Sequence, residues 1–331
     1  HLAAEGGSAP VARSHRRPVA FRRPAPHNGA MNDAQPIRPH LVARVWGGER
    51  LRALLGDTVS SGATSGPIGE AWFGAAHGDA THALVKLLDV RDRLSVQVHP
   101  NDALARELHG AGEIGKHEAW VIVEAVPDAT ILLGRDPAVA PERLAAALRG
   151  DGAIEPLLAR VPVQPGDVID VPPGLLHALM PGLLVWEIQQ PTDRTYRVAD
   201  WGRDAEDRPL HRLEAAQATD LGAVAQRLPR LPDVPGVHTL IDAGALSVVA
   251  AVGPWSGSIE SQQGAVATYL PSPSGDALST DHVYSAECGG STLPSFNSAR
   301  LGGGRVAVAV PAGGTLLIGS LRAERVHGVR G

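Results

Sequence analysis

"PGDVIDVPPGLLHAL", from Pro165 to Leu179, decides the architecture. "PGD" makes a tight turn, "VIDV" is a short extended run, "PPG" is a second turn, and His177 opens the next strand. We read the segment as a hairpin whose two turns are fixed by proline and glycine. Such a segment aims one imidazole at the same place in every folded molecule. The spacing is Gly166, five residues, Pro172, one residue, Gly174, two residues, His177.

Outward from this stretch the pattern repeats. "ALVKLLDV", "RLSVQVH", "EAWVIVEAV", "ATILLG" and "LLVWEIQQ" are short apolar runs punctuated by Gly, Pro and Asp, which are strand signals at close spacing. Thirty-eight glycines and 27 prolines in 331 residues, with only 4% aromatics, fit a turn-rich β architecture. Two segments break the strand pattern. "NDALARELHG" is predicted as a helix with Asn101 as N-cap and Gly110 as its stop, and "APERLAAALRG" as one with Pro141 in its first turn and Gly150 after its end. Beyond the Pro-rich "PRLPDVPG" at 229–236, further strands are expected in "LSVVAAV", "AVATYL", "HVYSAEC", "RVAVAV" and "GTLLIG".

The organisation expected is therefore a disordered extension over 1–40, a catalytic β domain with short helices over 41–235, and a second β domain over 236–331. The Arg-, Pro- and Gly-rich extension has no apolar h-region, and Met31 is a candidate natural start. A net charge of −5 gives no reason to expect nucleic acid or anionic lipid as a partner. No stretch approaches the roughly 18 apolar residues of a membrane span. The single cysteine, Cys288, fits a reducing, cytoplasmic setting.

The polar residues on these strands point to chemistry. In "LSVQVHP", Leu94, Val96 and Val98 share one face, while Ser95, Gln97 and His99 share the other. Glu118 starts the apolar strand "EAWVIVE". One amide oxygen, two imidazoles (His99 and His177) and one carboxylate make a shell for a divalent cation, and the donor set admits zinc, manganese or iron. His117 competes with Glu118, but adjacent strand residues face opposite ways, so only one points inward. In "LLVWEIQQ", Glu187 and Gln189 share a face with Val185 and Leu183, and a carboxylate on an apolar face wants a partner. Arg197 follows. Lys86 shares a face with Leu84 and Leu88, so its ammonium is half-buried, snorkelling or paired.

The Gly166-to-His177 spacing fits the second sequence motif of the cupins, which are double-sheet jelly rolls. "VWGGERL", "GEAWFGAAHGD", "LVKLLDVRDRLSVQVHP", "GKHEAW", "PPGLLHAL", "EIQQPTDRTYRVADW" and "RPLH" together resemble, in order, the signatures of type I mannose-6-phosphate isomerase. The resemblance is strong over 41 to about 213 and fades in the C-terminal third. It implies a mainly β fold of two cupin-like jelly-roll barrels with a small helical insertion. One zinc ion per chain would sit in the first barrel on Gln97, His99, Glu118 and His177. The resemblance also implies Arg197 as the catalytic arginine and Ser95 and Lys86 as phosphate contacts. Lys116 matches the family's lysine two residues before the ligand glutamate. Ala75 departs from the family's serine. His238, His282 and His327 are isolated, so no second metal is expected.

The implied reaction interconverts mannose 6-phosphate and fructose 6-phosphate through a cis-enediol, with a small sugar phosphate as the only partner required and either a monomer or a dimer as the assembly. The general base is Glu187 or Lys116, and we lean to Glu187. The competing readings are isomerisation of a different sugar or phosphosugar, and a non-catalytic sugar-binding cupin.

Overall fold

Inward and outward side chains alternate along short strands to build two β-sandwiches. The computed structural model describes residues 34–56, 65–74, 82–203, 208–223, 229–271 and 285–322. In the first sandwich, a six-stranded antiparallel sheet runs His40–Gly48, Ile68–Phe73, Leu84–Val90, Leu183–Gln189, Glu118–Ala125 and Val168–Val171 from edge to edge. Its companion is a five-stranded sheet of Tyr196–Ala199, Val96–Val98, His177–Leu179, Thr130–Arg135 and Leu158–Pro162. In the second sandwich, a six-stranded sheet runs Ala34–Ile37, Ser298–Leu301, Val266–Pro271, Gly314–Leu321, Leu246–Val252 and Gly236–Ala243. It is accompanied by a four-stranded sheet of Trp255–Ser261, Gly304–Val310, Ser285–Cys288 and Ser291–Pro294. This is the pair of jelly-roll barrels, mainly β, that the resemblance implied.

Burial explains why the strands of the first sandwich read as almost continuous apolar runs. Leu88, Val90, Trp120, Ile122, Leu183 and Val185 fill its interior. On the opposite face of the same strands, Val85, Leu87, Leu184, Trp186 and Ile188 pack against Ile241, Leu246, Val248 and Leu317 of the second sandwich. The six-stranded sheet is thus buried on both sides. Each such aliphatic side chain contributes about 1.5–3 kcal/mol on burial, so the two sandwiches are held as one body by this shared core. The outer face of the five-stranded sheet (Val96, Val98, Leu132, Ala178) is covered by Leu144 and Leu148 of the helix Pro141–Arg149 and Ala215 of the helix Arg212–Ala218.

The two expected helices form where capping chemistry places them. Asn101 caps Asp102–His109, its side-chain oxygen accepting the Leu104 N–H at 2.9 Å, and Gly110 ends it. Pro141 opens the other and Gly150 closes it. Among the described residues no helix is long and apolar enough to cross a membrane.

Three details differ from the sequence expectations. Val168–Val171 and His177–Leu179 are not a hairpin, because the former pairs with Glu118–Ala125 and the latter with Val96–Val98 and Thr130–Arg135. "PPGLL" therefore carries the chain from one sheet to the other, pinned by the Gly174 N–H on the His99 carbonyl at 3.0 Å. The extension expected over 1–40 does not hold at its end. Ala34–Ile37 is an edge strand of the second sandwich, paired with Ser298–Leu301, and Ala34 is buried in that sandwich's core. A main-chain ladder needs no apolar sequence to form, which is why composition did not reveal it. The helices Arg50–Leu55 and Arg212–Ala218 were also not expected. Residues 1–33, Ala75, His282 and His327 lie outside the described residues.

Candidate metal centre and active site

Each sheet of the first sandwich lays a row of polar side chains across its inner face. On the five-stranded sheet, His177 pairs with Gln97, and Gln97 pairs with Arg197 on its other side. Residues directly opposite one another across a ladder face the same way, so these three form one row. On the six-stranded sheet, Glu118 lies opposite Gln189. In the next inward row, Trp72, Lys86, Glu187 and Trp120 are successive register partners. His99 follows the strand Val96–Val98 and reaches the same interior.

His99, Glu118 and His177 converge, with their ligand atoms all within 4.8 Å of one another. Glu118 Oε2 lies 3.2 Å from His99 Nε2, and Glu118 Oε1 lies 3.1 Å from His177 Nε2. The other nitrogen of each ring is committed to a main-chain carbonyl: His99 Nδ1 to Arg194 O at 3.0 Å and His177 Nδ1 to Leu175 O at 2.8 Å. A carbonyl can only accept, so Nδ1 carries the proton in each neutral ring. Each Nε2 lone pair then faces a carboxylate oxygen. Both Glu118 oxygens are buried, and the ammonium of Lys116 is the cation that approaches them, 2.6 Å from Oε2. On the His99 side the Lys116 ammonium approaches both groups. On the His177 side the lone pairs of Nε2 and Glu118 Oε1 confront each other away from water and repel unless a cation lies between them. These residues fit a metal, and the carbonyl contacts at Nδ1 are the usual way a protein orients ligand imidazoles.

The local electrostatics agree. Burial, assisted by the neighbouring Lys116 ammonium, pushes His99 down to about 3, so its ring is neutral at ordinary pH. Burial alone would raise Glu118, but Lys116 and the two histidines outweigh it and hold the carboxyl well below its usual range. Lys116 Nζ sits 2.6 Å from Glu118 Oε2 and 3.3 Å from His99 Nε2. Gln97 borders the cluster, its side-chain nitrogen 3.2 Å from His177 Nε2 and its oxygen 3.5 Å from the Ser95 hydroxyl. A half-turn of this amide brings the oxygen to the cluster.

Lys86 is paired rather than snorkelling. Its ammonium lies 3.0 Å from Glu187 Oε1, donates to Gln189 Oε1, and sits over the Trp72 ring at 5.2 Å from its centroid. Glu187 Oε2 accepts the Trp120 indole N–H at 3.0 Å, and the Trp120 ring meets His177 edge-on with centroids 5.4 Å apart. Glu70 completes the chain of charge, accepting from Arg44 at 2.8 Å and from Trp72 at 2.7 Å. Lys86 is raised although burial opposes it, because Glu187 and Glu70 flank it. Glu70 is lowered, burial being outweighed by Lys86 and Arg44. Sequence reasoning missed Glu70, Trp72 and Trp120. The signal was present, since each stands two residues from another inward-facing position of its strand.

Arg197 lies at the edge of its row. Its guanidinium donates to the Pro209 carbonyl at 2.9 Å, while its buried Nε has no hydrogen-bond partner. It touches neither the three-residue cluster nor Glu187 through any hydrogen bond or ion pair. Ser95 and Lys86 likewise share no direct bond. His117 points away from the site, toward the second sandwich, and meets Asp170 of its own sheet and Ala245 of the second sandwich.

The chain is similar to known mannose-6-phosphate isomerases. The chain is 32% identical over 294 residues to mannose-6-phosphate isomerase ManA of Bacillus subtilis, covering 75% of this chain and 88% of that protein. It is 31% identical over 269 residues to the mannose-6-phosphate isomerase of Streptococcus mutans, covering 71% and 82%. The crystal structure of the mannose 6-phosphate isomerase from Bacillus subtilis superposes with a TM-score of 0.69 at 25% identity, over 87% of this chain and 99% of that one. A phosphomannose isomerase variant from Salmonella typhimurium shares the fold, with a TM-score of 0.64 at 13% identity over 88% of this chain and 100% of that one. No family model matches the chain.

Proposed function

This chain belongs to the mannose-6-phosphate isomerase family, and from that premise we propose that it interconverts mannose 6-phosphate and fructose 6-phosphate through a cis-enediol. The observation that carries the reading is the facing of two imidazole Nε2 lone pairs onto the one buried Glu118 carboxylate. Gln97, His99, Glu118 and His177 would hold one zinc ion, for which two nitrogens and two oxygens are a suitable donor set. Bound there, zinc polarises a sugar carbonyl and lowers the cost of charge developing on its oxygen.

The chain's own side chains do the rest. Glu187 moves the proton between C2 and C1, its carboxylate fixed by Lys86 and Trp120 so that no reorientation is needed during transfer. A second reading gives that proton to Lys116, because its amine lies 2.6 Å from the ligand carboxylate. The Arg197 guanidinium stabilises the negative charge of the enediolate, and its unpartnered Nε supports this role. Ser95 and Lys86 hold the phosphate. An ammonium has three donors and Lys86 spends two on Glu187 and Gln189, so one remains for substrate. Remote binding of the phosphate orients the reacting carbons. We place the reaction in the cytoplasm, where the single buried thiol of Cys288 stays reduced.

The test is a coupled isomerase assay on the purified chain, with chelator and then zinc add-back, run on mannose 6-phosphate and on free mannose. Activity lost to chelator, restored by zinc and dependent on the phosphate is expected. Activity untouched in protein shown to be metal-free would overturn the metal role, and indifference to the phosphate would remove the roles of Ser95 and Lys86. Washout of deuterium from C2 of the substrate separates the two bases. It should vanish in Glu187→Gln while zinc stays bound; if it survives there and vanishes in Lys116→Gln, Lys116 is the base.

A further inference from the structure

We infer that His117 is a positioning residue through which the second, metal-free sandwich holds the ligand strand of the first. The inference rests on the metal reading above. His117 stands between Lys116 and Glu118, the two residues whose charged ends meet at the cluster. Those neighbours face inward, and His117 faces outward, only 2% exposed.

Every polar group of this residue is engaged. Its main-chain N–H donates to Gln190 Oε1 at 2.9 Å, and its carbonyl accepts the Gln190 N–H at 3.0 Å. Its Nδ1 accepts the Ala245 N–H at 3.1 Å, which fixes the proton on Nε2. That proton is donated to Asp170 Oδ1 at 2.7 Å. Asp170 belongs to the strand beside Glu118–Ala125, whereas Ala245 lies in the tight turn joining Gly236–Ala243 to Leu246–Val252 in the second sandwich. The imidazole is thus a bolt between the two bodies.

The turn is shaped to receive it. A Cβ built on Gly244 would lie 2.4 Å from His117 Nδ1 and 2.5 Å from its Cε1. No side chain fits there without displacing the ring. The backbone also needs glycine, with φ at +52°. A rotated or displaced His117 shifts the Cα positions on either side of it, and with them both inward side chains. Groups that orient metal ligands from outside typically set about tenfold or more in metal affinity.

The experiment measures zinc affinity of the full chain by chelator competition, with fold monitored by near-ultraviolet circular dichroism and with kcat and KM measured separately. His117→Leu and Gly244→Ala should each weaken zinc binding about tenfold and lower kcat with KM for mannose 6-phosphate unchanged. His117→Gln, which keeps one acceptor and one donor, should bind zinc like the wild type. The control for backbone strain is Gly290→Ala. Gly290 is a turn glycine of the same sandwich at φ +79° with nothing near its missing Cβ, and this variant should leave zinc affinity unchanged. Folded His117→Leu and Gly244→Ala chains that bind zinc as tightly as the wild type would overturn the inference. So would a Gly290→Ala chain that loses affinity as much as Gly244→Ala does. If His117→Leu does not fold, the two glycine variants decide. A wild type that binds no zinc sinks the metal reading itself, and the inference with it.

Discussion

The two sandwiches share an architecture and differ in what they bury. The first encloses Glu70, Lys86, Ser95, His99, Lys116, Glu118, His177, Glu187 and Gln189. Among the described residues of the second, the buried polar side chains are all hydroxyls: Thr268, Ser298, Thr315 and Ser320. Its interior is Ala, Val, Leu and Ile around Tyr269 and Phe296. A jelly roll needs no buried charge to be stable, and each buried charge costs energy unless it is paired. The paired charges of the first sandwich are what the proposed chemistry would use, and the apolar second sandwich packs against the back of the sheet that carries Lys86, Glu118 and Glu187.

The sharpest way to break this contrast is to remove a ligand. His177→Ala should abolish isomerisation and metal retention together, measured by coupled assay and by metal analysis of the same sample. Full activity with unchanged metal content would show that the polar interior is not the active site. Next comes Arg197→Ala. Losing a charge-stabilising donor aimed at the transition state costs about 10²–10³ in kcat, and zinc should stay bound because the Arg197 side chain makes no hydrogen bond or ion pair to Gln97, His99, Glu118 or His177. If that variant loses its metal, the arginine is structural.

The contrast also bears on what could be read from the sequence. Alternation alone separated Gln97 and His99 from Val96 and Val98, and the polar residues of "LLVWEIQQ" from the apolar ones, because a strand has only two faces. Capping chemistry is equally local, and it located both helices that were expected. Partner choice is not local. "PPGLL" reads as a turn whether its strands pair with each other or enter opposite sheets, and here they enter opposite sheets. Ala34–Ile37 pairs with a strand more than 250 residues away, and nothing in its four residues announces that. That His117 faces outward was legible from alternation. That Ala245 of the other sandwich meets it was not.

Paired charges leave a signature in pH that an apolar interior lacks. Glu70 is lowered in the fold against burial by Lys86 and Arg44. A carboxyl depressed in the folded state contributes stability that is present above its unfolded value of 4.5 and is lost as pH falls through the folded value. Urea midpoints should therefore drop on acidification below that value, and Glu70→Gln should flatten this limb. At neutral pH the same variant should cost about 3 kcal/mol, because it leaves Lys86 and Arg44 short of a partner. An acid limb unchanged by Glu70→Gln would mean that the pair contributes nothing to stability.

The smallest effect tests whether every contact between the sandwiches matters to the site. Trp186 belongs to the strand that carries Glu187 but points the other way, and its indole N–H donates to Thr268 Oγ1 at 3.0 Å across the shared core. Thr268 in turn meets the Ser298 hydroxyl at 2.8 Å. Thr268→Val keeps the shape and strands both partners, which costs about 1–2 kcal/mol for buried groups left unsatisfied. Yet Thr268 touches no residue adjacent to a ligand, whereas Gly244 and Ala245 meet His117 directly. Thr268→Val should therefore lower the urea midpoint while zinc affinity and kcat stay at wild-type values. If it weakened zinc binding as Gly244→Ala is expected to, the second sandwich would act on the metal centre through general stiffness of the interface and not through one imidazole.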